Sequence, residues 1–184
     1  MEVKVYTPEL NLLAIIENFS ALLWTRKYST TGTFEFHAPA TPYIIASLAR
    51  GNLISYDGAL EAGVIENIKI QHSNKKNEIV AKGRFLESYR DRRLIYGDEK
   101  PAYNFSGLVE TAMREIITNA VPIPLLELGE VQGYTETITF QATYQNLLKY
   151  EGKLADSIGI GFRCTPDFIN IARSEERRVG KECR

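Results

Sequence analysis

The sequence predicts an α+β protein with more strand than helix, and three observations carry this prediction. Polar and apolar residues alternate with a period of two at residues 33–38 and 79–85, which is typical of half-buried strands. Apolar residues recur at helical spacing after Pro42, from Val109 and from Leu147, which indicates three amphipathic helices. Polar turns, several with glycine or proline, separate these segments. We therefore predict a strand-rich fold with few helices.

Residues 1–96 form the first predicted domain, which holds most of the strands. The apolar stretches 10–19 and 21–28 precede the alternating segment 33–38, and three strands joined by short turns favour an antiparallel meander. A second pair of alternating segments flanks the polar turn 73–77 and predicts a hairpin. We expect a strand-rich domain with one short helix.

Helix boundaries follow from capping residues. Thr41 is placed to cap the first helix because Pro42, a favoured residue at the first helical position, comes directly after it. Ser106 is predicted to cap the second helix and Thr143 the third. Gly159 is expected to end the third helix, where a left-handed residue is common.

Residues 97–172 form the second predicted domain, and segment 97–101, Gly-Asp-Glu-Lys-Pro, is the expected linker. The alternation at 137–142 predicts a strand between the two helices of this domain. A final pair of strands is expected at 161–165 and 168–172. Because the chain changes character after residue 172, this second α+β domain is expected to be incomplete.

The last twelve residues, 173–184, differ from the rest of the chain. They are a charged segment with a single aliphatic side chain, Val179, and they resemble the in-frame translation of a short-read sequencing adapter. A match over so many consecutive codons is hard to obtain by chance. We therefore predict that this tail is non-native and that the natural coding frame was interrupted near Ala172. A native solvated tail is the alternative.

Without the tail the chain is mildly acidic. The tail holds five of the 22 Lys and Arg residues and three of the 23 Asp and Glu residues, which leaves 17 against 20 and a formal net charge of −3. A general nucleic-acid binder normally shows a basic stripe, so no specific nucleic-acid binding is expected. No run of about 18 apolar residues occurs, so no membrane span is expected. Cys164, the one cysteine left, fits a reducing compartment.

Signals of catalysis or metal binding are few. His37 and His72 have neither helical spacing nor a cysteine cluster nearby, so surface or interface positions are favoured over metal ligation. Ser73 and Lys76 have the spacing of a serine–lysine pair, but they fall in a predicted hairpin turn rather than at a helix start. Cys164 has no partner base in the sequence and is expected to pack as a small apolar residue.

Two other patterns have structural explanations. Gly159-x-Gly161 is a fragment of a phosphate-binding loop, and a helix end followed by a strand start explains it better. Arg90, Arg92 and Arg93 form the densest basic run, and the acidic residues around them favour a solvated or interface ion-pair face over phosphate binding. No catalytic, cofactor-binding or metal-binding residue is predicted, and no enzyme activity. Strand-borne aromatic residues are expected in the core or at a subunit contact: Tyr6, Phe19, Trp24, Phe34, Phe36 and Phe85.

The order of short motifs carries a family resemblance. The motifs are YTPELNLL (6–13), ALLWTRKY (21–28), GTFEFHAP (32–39), GNLI (51–54), GVIENI (63–68) and GRFL (83–86), the last followed by Arg92-Arg93. In this order they resemble the siphophage Gp-thirty-seven-like family of tail proteins, found in phages and prophages of Gram-positive bacteria. The resemblance covers about residues 3–172 and is strongest before residue 96.

The resemblance implies a fold and an assembly role. Family members resemble baseplate hubs, so a small antiparallel β-barrel-like domain followed by an α/β sandwich-like domain is expected. The resemblance also implies a homo-oligomer, a trimeric ring that helps close the tail tube. Distal tail and other tail-tip proteins are the implied partners, with host-attachment modules docked on the ring. No catalytic residue or cofactor carries over, and the implied location is the virion tail, after synthesis in the cytoplasm of the bacterial host.

Two alternatives stay open on the sequence. The chain could be the amino-terminal docking part of a tail-associated peptidoglycan hydrolase whose catalytic domain is missing. It could also be a ligand-binding β module unrelated to phage, although the sequence does not display the convergent polar groups that a ligand pocket needs.

Overall fold

The computed structural model describes residues 1–72, 77–96, 102–120, 122–166 and 172–177, and the chain forms two compact units. The first unit comprises Met1–Lys27, Thr31–Leu86 and Cys164–Ala172, and the second comprises Tyr28–Thr30, Glu87–Arg163 and Arg173–Arg184. The predicted domain boundary, between residues 96 and 97, lies inside the second unit. Strand Ala172–Arg177 runs into the predicted non-native tail, whose origin stays a prediction.

The first unit is built on one antiparallel sheet. Its elements are β1 (Val3–Tyr6), β2 (Leu12–Ile16), β3 (Ala21–Thr25), β4 (Thr33–Pro39), α1 (Pro42–Ser47), β5 (Leu53–Tyr56), β6 (Gly63–His72) and β7 (Asn77–Phe85). These seven strands form a single sheet in the order β2-β1-β5-β6-β7-β4-β3. The hairpin predicted around residues 73–77 is confirmed, because β6 and β7 pair from Gly63 opposite Phe85 to His72 opposite Asn77.

The predicted meander is wrong in its first pairing. The apolar stretch at β2 pairs with β1, a four-residue strand that the sequence pattern did not reveal, and β3 pairs with β4. A tight turn between β1 and β2, in which the Thr7 N–H donates to the Asn11 carbonyl at 2.8 Å, brings these two strands together. β2 and β3 are therefore the two outer strands of the sheet rather than neighbours.

The sheet curls strongly upon itself. β3 and β5 are four strand positions apart, which in a flat sheet would separate them by about 19 Å. The ring centroids of Trp24 on β3 and Tyr56 on β5 are nevertheless only 5.3 Å apart, in an edge-to-face contact. Trp24 also lies 4.6 Å from Phe85, measured between ring centroids. The curvature gives the first unit the expected barrel-like form.

The core of the first unit lies inside this curve. Alternate residues of the strands point inward, so β4 has the burial pattern that its period of two predicts. Helix α1 adds Ile44 and Leu48 to the same core. Three of the aromatic residues predicted for the core or a subunit contact are buried there, and Phe19 and Trp24 pack against it. The buried three are Phe34, Phe36 and Phe85, while Tyr6 is buried outside this cluster.

The remaining elements include the two longer helices. They are β8 (Leu94–Ile95), β9 (Ala102–Leu108), α2 (Val109–Thr118), β10 (Leu126–Leu128), β11 (Thr137–Thr143), β12 (Gln145–Asn146), α3 (Leu147–Ile158), β13 (Gly161–Thr165) and β14 (Ala172–Arg177). β9 pairs with β11, β8 with β12, and the third sheet has the order β10-β14-β13. The apolar faces of α2 and α3 share one core with β9 and β11, which includes Met113, Ile116, Leu147 and Leu154. The strand-rich α+β class is thus confirmed.

Two of the four predicted helix boundaries are confirmed. The Thr41 hydroxyl accepts a hydrogen bond from the Ile44 N–H at 3.3 Å, and Pro42 occupies the first helical position. Gly159 ends α3 in the left-handed region with a φ of 69°. β13 begins directly afterwards at Gly161, so the Gly159-x-Gly161 pair is the end of a helix and the start of a strand.

The caps predicted for α2 and α3 are wrong. Ser106 lies within β9, where its hydroxyl is 2.9 Å from the Thr139 hydroxyl across the strand pair, and α2 has no side-chain cap. For α3 the cap is Asn146, whose side-chain oxygen accepts from the Lys149 N–H at 3.0 Å, and not Thr143. Both errors have one cause: β9 and β11 pair over their full length and draw Ser106 and Thr143 into strands.

Candidate assembly interface

Both outer strands of the seven-stranded sheet are apolar and uncharged. β2 is Leu-Leu-Ala-Ile-Ile and β3 is Ala-Leu-Leu-Trp-Thr. Each has one neighbouring strand among the described residues, so the other edge of each has no strand partner there, and helix α1 also lies against β2. The Leu13 and Ile15 side chains on β2 are 46% and 41% exposed, and Leu23 on β3 is 54% exposed. The two edges therefore present backbone hydrogen-bonding groups next to exposed aliphatic side chains.

Edges of this kind favour pairing with another chain. Natural edge strands are commonly protected by a lysine, a proline or a bulge, and neither β2 nor β3 contains lysine or proline. The β1–β2 register shifts at Val5/Tyr6, but the far part of β2, from Ala14 to Ile16, pairs regularly. Because β2 and β3 differ in sequence, a contact between β2 of one copy and β3 of the next is head-to-tail, a geometry that gives a ring when the rotation between copies closes and a filament when it does not.

Several charged residues on the outward face of β4, β6 and β7 are paired with one another. Lys82 Nζ lies 2.7 Å from one Glu35 oxygen and His37 Nε2 lies 2.9 Å from the other, and these two bonds hold the pKa of Glu35 below its usual range. The Arg84 guanidinium binds Glu66 at 2.8 Å. A shallow depression of about 350 Å³ opens beside them. Its charged groups are engaged with each other, so they do not converge on a ligand, and His37 takes part in this hydrogen-bond network.

The other candidate residues from the sequence do not form a site. In the described part of the chain no group of three His, Cys, Asp or Glu side chains is suited to hold a metal ion. Ser73, Lys76 and the side chain of His72 lie outside the described residues. Cys164 is buried, as expected for a small apolar residue. Across the described residues, no helix is long and apolar enough to cross a membrane.

The prediction of a solvated or interface ion-pair face is wrong for Arg90. Its side chain is 1% exposed, and Nη1 lies 2.6 Å from an oxygen of Glu151, which is fully buried on α3. The guanidinium carbon also lies 4.6 Å from the ring centroid of Phe162, a cation–π contact. The run from Leu86 to Arg92 is a 3-10 helix with three residues per turn, so Arg90 points inward while Arg92 stays exposed.

A buried carboxylate on α2 holds the loop between β10 and β11. Glu110 is 3% exposed, and its two oxygens accept three backbone hydrogen bonds. The donors are the N–H groups of Gln132 at 2.7 Å, Gly133 at 2.8 Å and Tyr134 at 3.2 Å. Bonds from charged acceptors to backbone N–H groups are among the stronger ones in proteins. We call this arrangement the Glu110 clamp.

Arg114 completes the clamp one helical turn further along. Its Nε donates to Glu110 at 3.3 Å and its Nη2 donates to the Gly129 carbonyl at 2.7 Å. Hydrogen bonds from helix α2 therefore hold this loop near both ends of the loop. The sequence does not indicate the clamp, because Glu110 follows a buried valine in an amphipathic helix and resembles an ordinary solvated residue. The Glu110–Arg114 spacing of four was the one signal present, and it is equally typical of surface pairs.

The clamp predicts a pH-dependent stability. Burial raises the pKa of the Glu110 carboxyl, but the backbone N–H groups of the loop and Arg114 outweigh burial and hold the pKa below its usual range. The stabilisation is therefore complete above the unfolded-state pKa of about 4.3 and is lost as the pH falls through the lower folded-state pKa. We expect Glu110→Gln to lower the free energy of unfolding by about 1–3 kcal/mol at neutral pH. Urea titrations of both proteins from neutral to acidic pH measure the difference; a difference that stays constant over that range contradicts the assignment.

Solved tail proteins share this fold over almost the whole chain. The prophage tail protein gp18 from Listeria monocytogenes EGD-e matches with a TM-score of 0.63 at 13% identity, over 95% of this chain and 50% of that one. The tail protein from Neisseria meningitidis MC58 matches with a TM-score of 0.61 at 14% identity, over 94% and 49%. The E. coli c3393 protein, a component of the type VI secretion system, matches with a TM-score of 0.52 at 16% identity, over 86% and 45%. This chain thus spans about half the length of the solved proteins that it matches.

Sequence comparison gives the family. No curated protein matches the chain in sequence. A family model does match it, over residues 2–175, which is nearly the whole chain and includes all six motifs singled out in the sequence. The first residues of the predicted non-native tail fall within that match. The resemblance carried by the motif order is therefore confirmed: the chain belongs to the Siphovirus ReqiPepy6 Gp37-like protein family.

Proposed function

We propose that this chain is a structural subunit of a phage or prophage tail tip, a baseplate hub component that joins copies of itself into a ring closing the tail tube. The outer strands of the first unit, β2 and β3, are the observation that carries the proposal, because the outer edge of each has no strand partner among the described residues. The family and the fold shared with prophage tail proteins support it. So does the similarity of the E. coli c3393 protein to the T4 bacteriophage tail proteins gp27 and gp5.

A ring is compatible with this edge contact. When β2 of one subunit pairs with β3 of the next, the backbone groups of both edges are satisfied and the exposed Leu13, Ile15 and Leu23 side chains are covered. A head-to-tail contact repeats from copy to copy, and a ring forms when the rotation between successive copies closes. The number of three subunits in the ring is taken from the resemblance to hub proteins. The mildly acidic body suits a tube through which DNA passes without binding tightly.

The same role accounts for the partners and the location. A ring at the tail tip contacts a distal tail protein and other tail-tip proteins and offers a platform for host-attachment modules. The protein would be made in the cytoplasm of the bacterial host and reside in the virion tail. No catalytic residue is needed for such a role. A cell-wall zymogram of the intact gene product tests this point, and a zone of clearing contradicts the purely structural proposal in favour of a tail-associated hydrolase.

Light scattering of the purified chain tests the ring. We expect a mass about three times the 20.8 kDa of one copy, and we expect Leu13→Lys or Leu23→Lys to shift the protein to monomer, because a lysine on an edge strand opposes pairing. Leu60→Lys is the matched control, since Leu60 is 48% exposed but lies outside the strands. The proposed edge contact is contradicted if the parent protein is monomeric, or if Leu60→Lys disrupts the trimer as much as the strand variants do.

A further inference from the structure

An irregular loop of the second unit is anchored by hydrogen bonds although it contains neither helix nor strand. Residues 129–136 connect β10 to β11, and loops of this kind are usually mobile because few of their backbone groups are bonded. Here the Glu110 clamp bonds three successive N–H groups, at 132, 133 and 134, and Arg114 bonds the Gly129 carbonyl. Gly133 has a φ of 77°, the left-handed conformation that lets these N–H groups converge on one carboxylate.

The clamped loop displays one apolar side chain. Val131 lies between the two anchored ends and is 71% exposed, which is the highest value among the large apolar side chains of the described residues. A single exposed valine is ordinary on a protein surface. This valine differs because both flanks are fixed by charged hydrogen bonds, so its position is set before any partner arrives. Preorganisation of this kind lowers the conformational entropy that is lost when a loop becomes ordered on binding.

The chain on either side of Val131 is acidic. From residue 116 to residue 148 the sequence contains three glutamates, at 127, 130 and 136, and no lysine, arginine or histidine. Glu127 and Glu130 are exposed. The one cation of the clamp, Arg114, is paired with Glu110. The exposed apolar tip thus has exposed glutamates before it along the chain.

We propose that loop 129–136 is a preformed docking element whose Val131 inserts into an apolar socket with a cationic rim on a different protein of the tail. An apolar anchor seated in a pocket and surrounded by complementary charge is the usual arrangement of an interface centre. The cationic rim follows from the glutamates beside the tip. The choice of partner, another tail polypeptide, rests on the proposed function. The loop geometry does not depend on it.

Hydrogen exchange of the isolated chain tests the clamp. The amides of Gln132, Gly133 and Tyr134 should be protected in the parent protein, and they should exchange about tenfold faster in Glu110→Gln, because the neutral amide is a weaker acceptor. The amides of β9 and β11, which pair with each other, report whether the fold is intact. Equal exchange rates of the loop amides in both proteins would contradict the proposal that the Glu110 clamp preforms the loop.

Photo-cross-linking in assembled tails tests the partner. A benzoylphenylalanine at position 131 should form a cross-link to a different tail polypeptide, next to lysine or arginine residues. The yield should fall by at least about fivefold in the Glu110→Gln background or in high salt. The same probe at exposed Leu60 is the control. The proposal is contradicted if position 131 gives no cross-linked product, or if it cross-links to a second copy of this chain. It is also contradicted if position 60 gives an equal yield of cross-linked product. If the chain is absent from purified tails, the proposed function fails instead, whatever the exchange result.

Discussion

Replacing Glu151 by alanine should lower the free energy of unfolding by about 3–5 kcal/mol. The carboxylate is fully buried and lies 2.6 Å from Arg90, which is 1% exposed. Its removal leaves a guanidinium in the interior without its closest counter-charge, because arginine does not lose its proton in proteins. Urea denaturation followed by circular dichroism of the helices measures the loss, since Glu151 lies on α3.

Two further variants distinguish the effect of losing the ion pair from the effect of losing side-chain volume. Asp156→Ala removes an exposed carboxylate from the same helix and should change the free energy of unfolding by no more than about 0.5 kcal/mol. The double replacement Arg90→Met with Glu151→Leu should recover most of the stability that Glu151→Ala loses, because two well-packed apolar side chains can replace a buried pair. A double variant no more stable than Glu151→Ala would contradict the charge argument.

Replacing Gly83 by alanine should destabilise the first unit by at least about 3 kcal/mol. A Cβ atom at Gly83 would collide with the Val64 carbonyl oxygen of the neighbouring strand and would lie 2.9 Å from the Phe34 ring. The β6–β7 register shifts between Ile65 and Asn67, and this irregularity is where the two backbones approach so closely. The clash involves backbone, so no side-chain rotation relieves it.

Trp24 fluorescence measures this loss, because the chain has one tryptophan and it packs against the core of the first unit. Gly58→Ala is the matched control. Gly58 has a φ of 87° and open space around its Cβ position, so only the conformational cost of about 1–2 kcal/mol applies. A Gly83→Ala protein as stable as Gly58→Ala would show that β6 and β7 can separate at this point without cost.

Local patterns predicted the elements whose formation depends on neighbouring residues. The alternation at 33–38 marks β4, and the Thr41-Pro42 pair marks the start of α1. The glycine at 159 marks the end of α3. In each case the deciding interaction spans a few residues: a hydroxyl and an N–H three positions on, or a backbone that needs a left-handed residue. The order of six motifs was sufficient to predict the family.

Long-range pairing decided what those patterns could not. Ser106 and Thr143 have the chemistry of helix caps, but the full-length pairing of β9 with β11 places both in strands. Arg90 belongs to a charged run, yet a buried partner 61 positions away in sequence draws it into the interior. Glu110 resembles a surface residue until the loop 22 to 24 positions later folds onto it.

The sequence by itself determined the strand-rich α+β class, the hairpin, the first helix and the family, because periodicity, capping and motif order are local properties. The tertiary structure alone decided which strands are the open edges, which charges are buried and which loop is held in place. These features depend on contacts between residues far apart in the chain, and a single sequence does not record which distant groups meet.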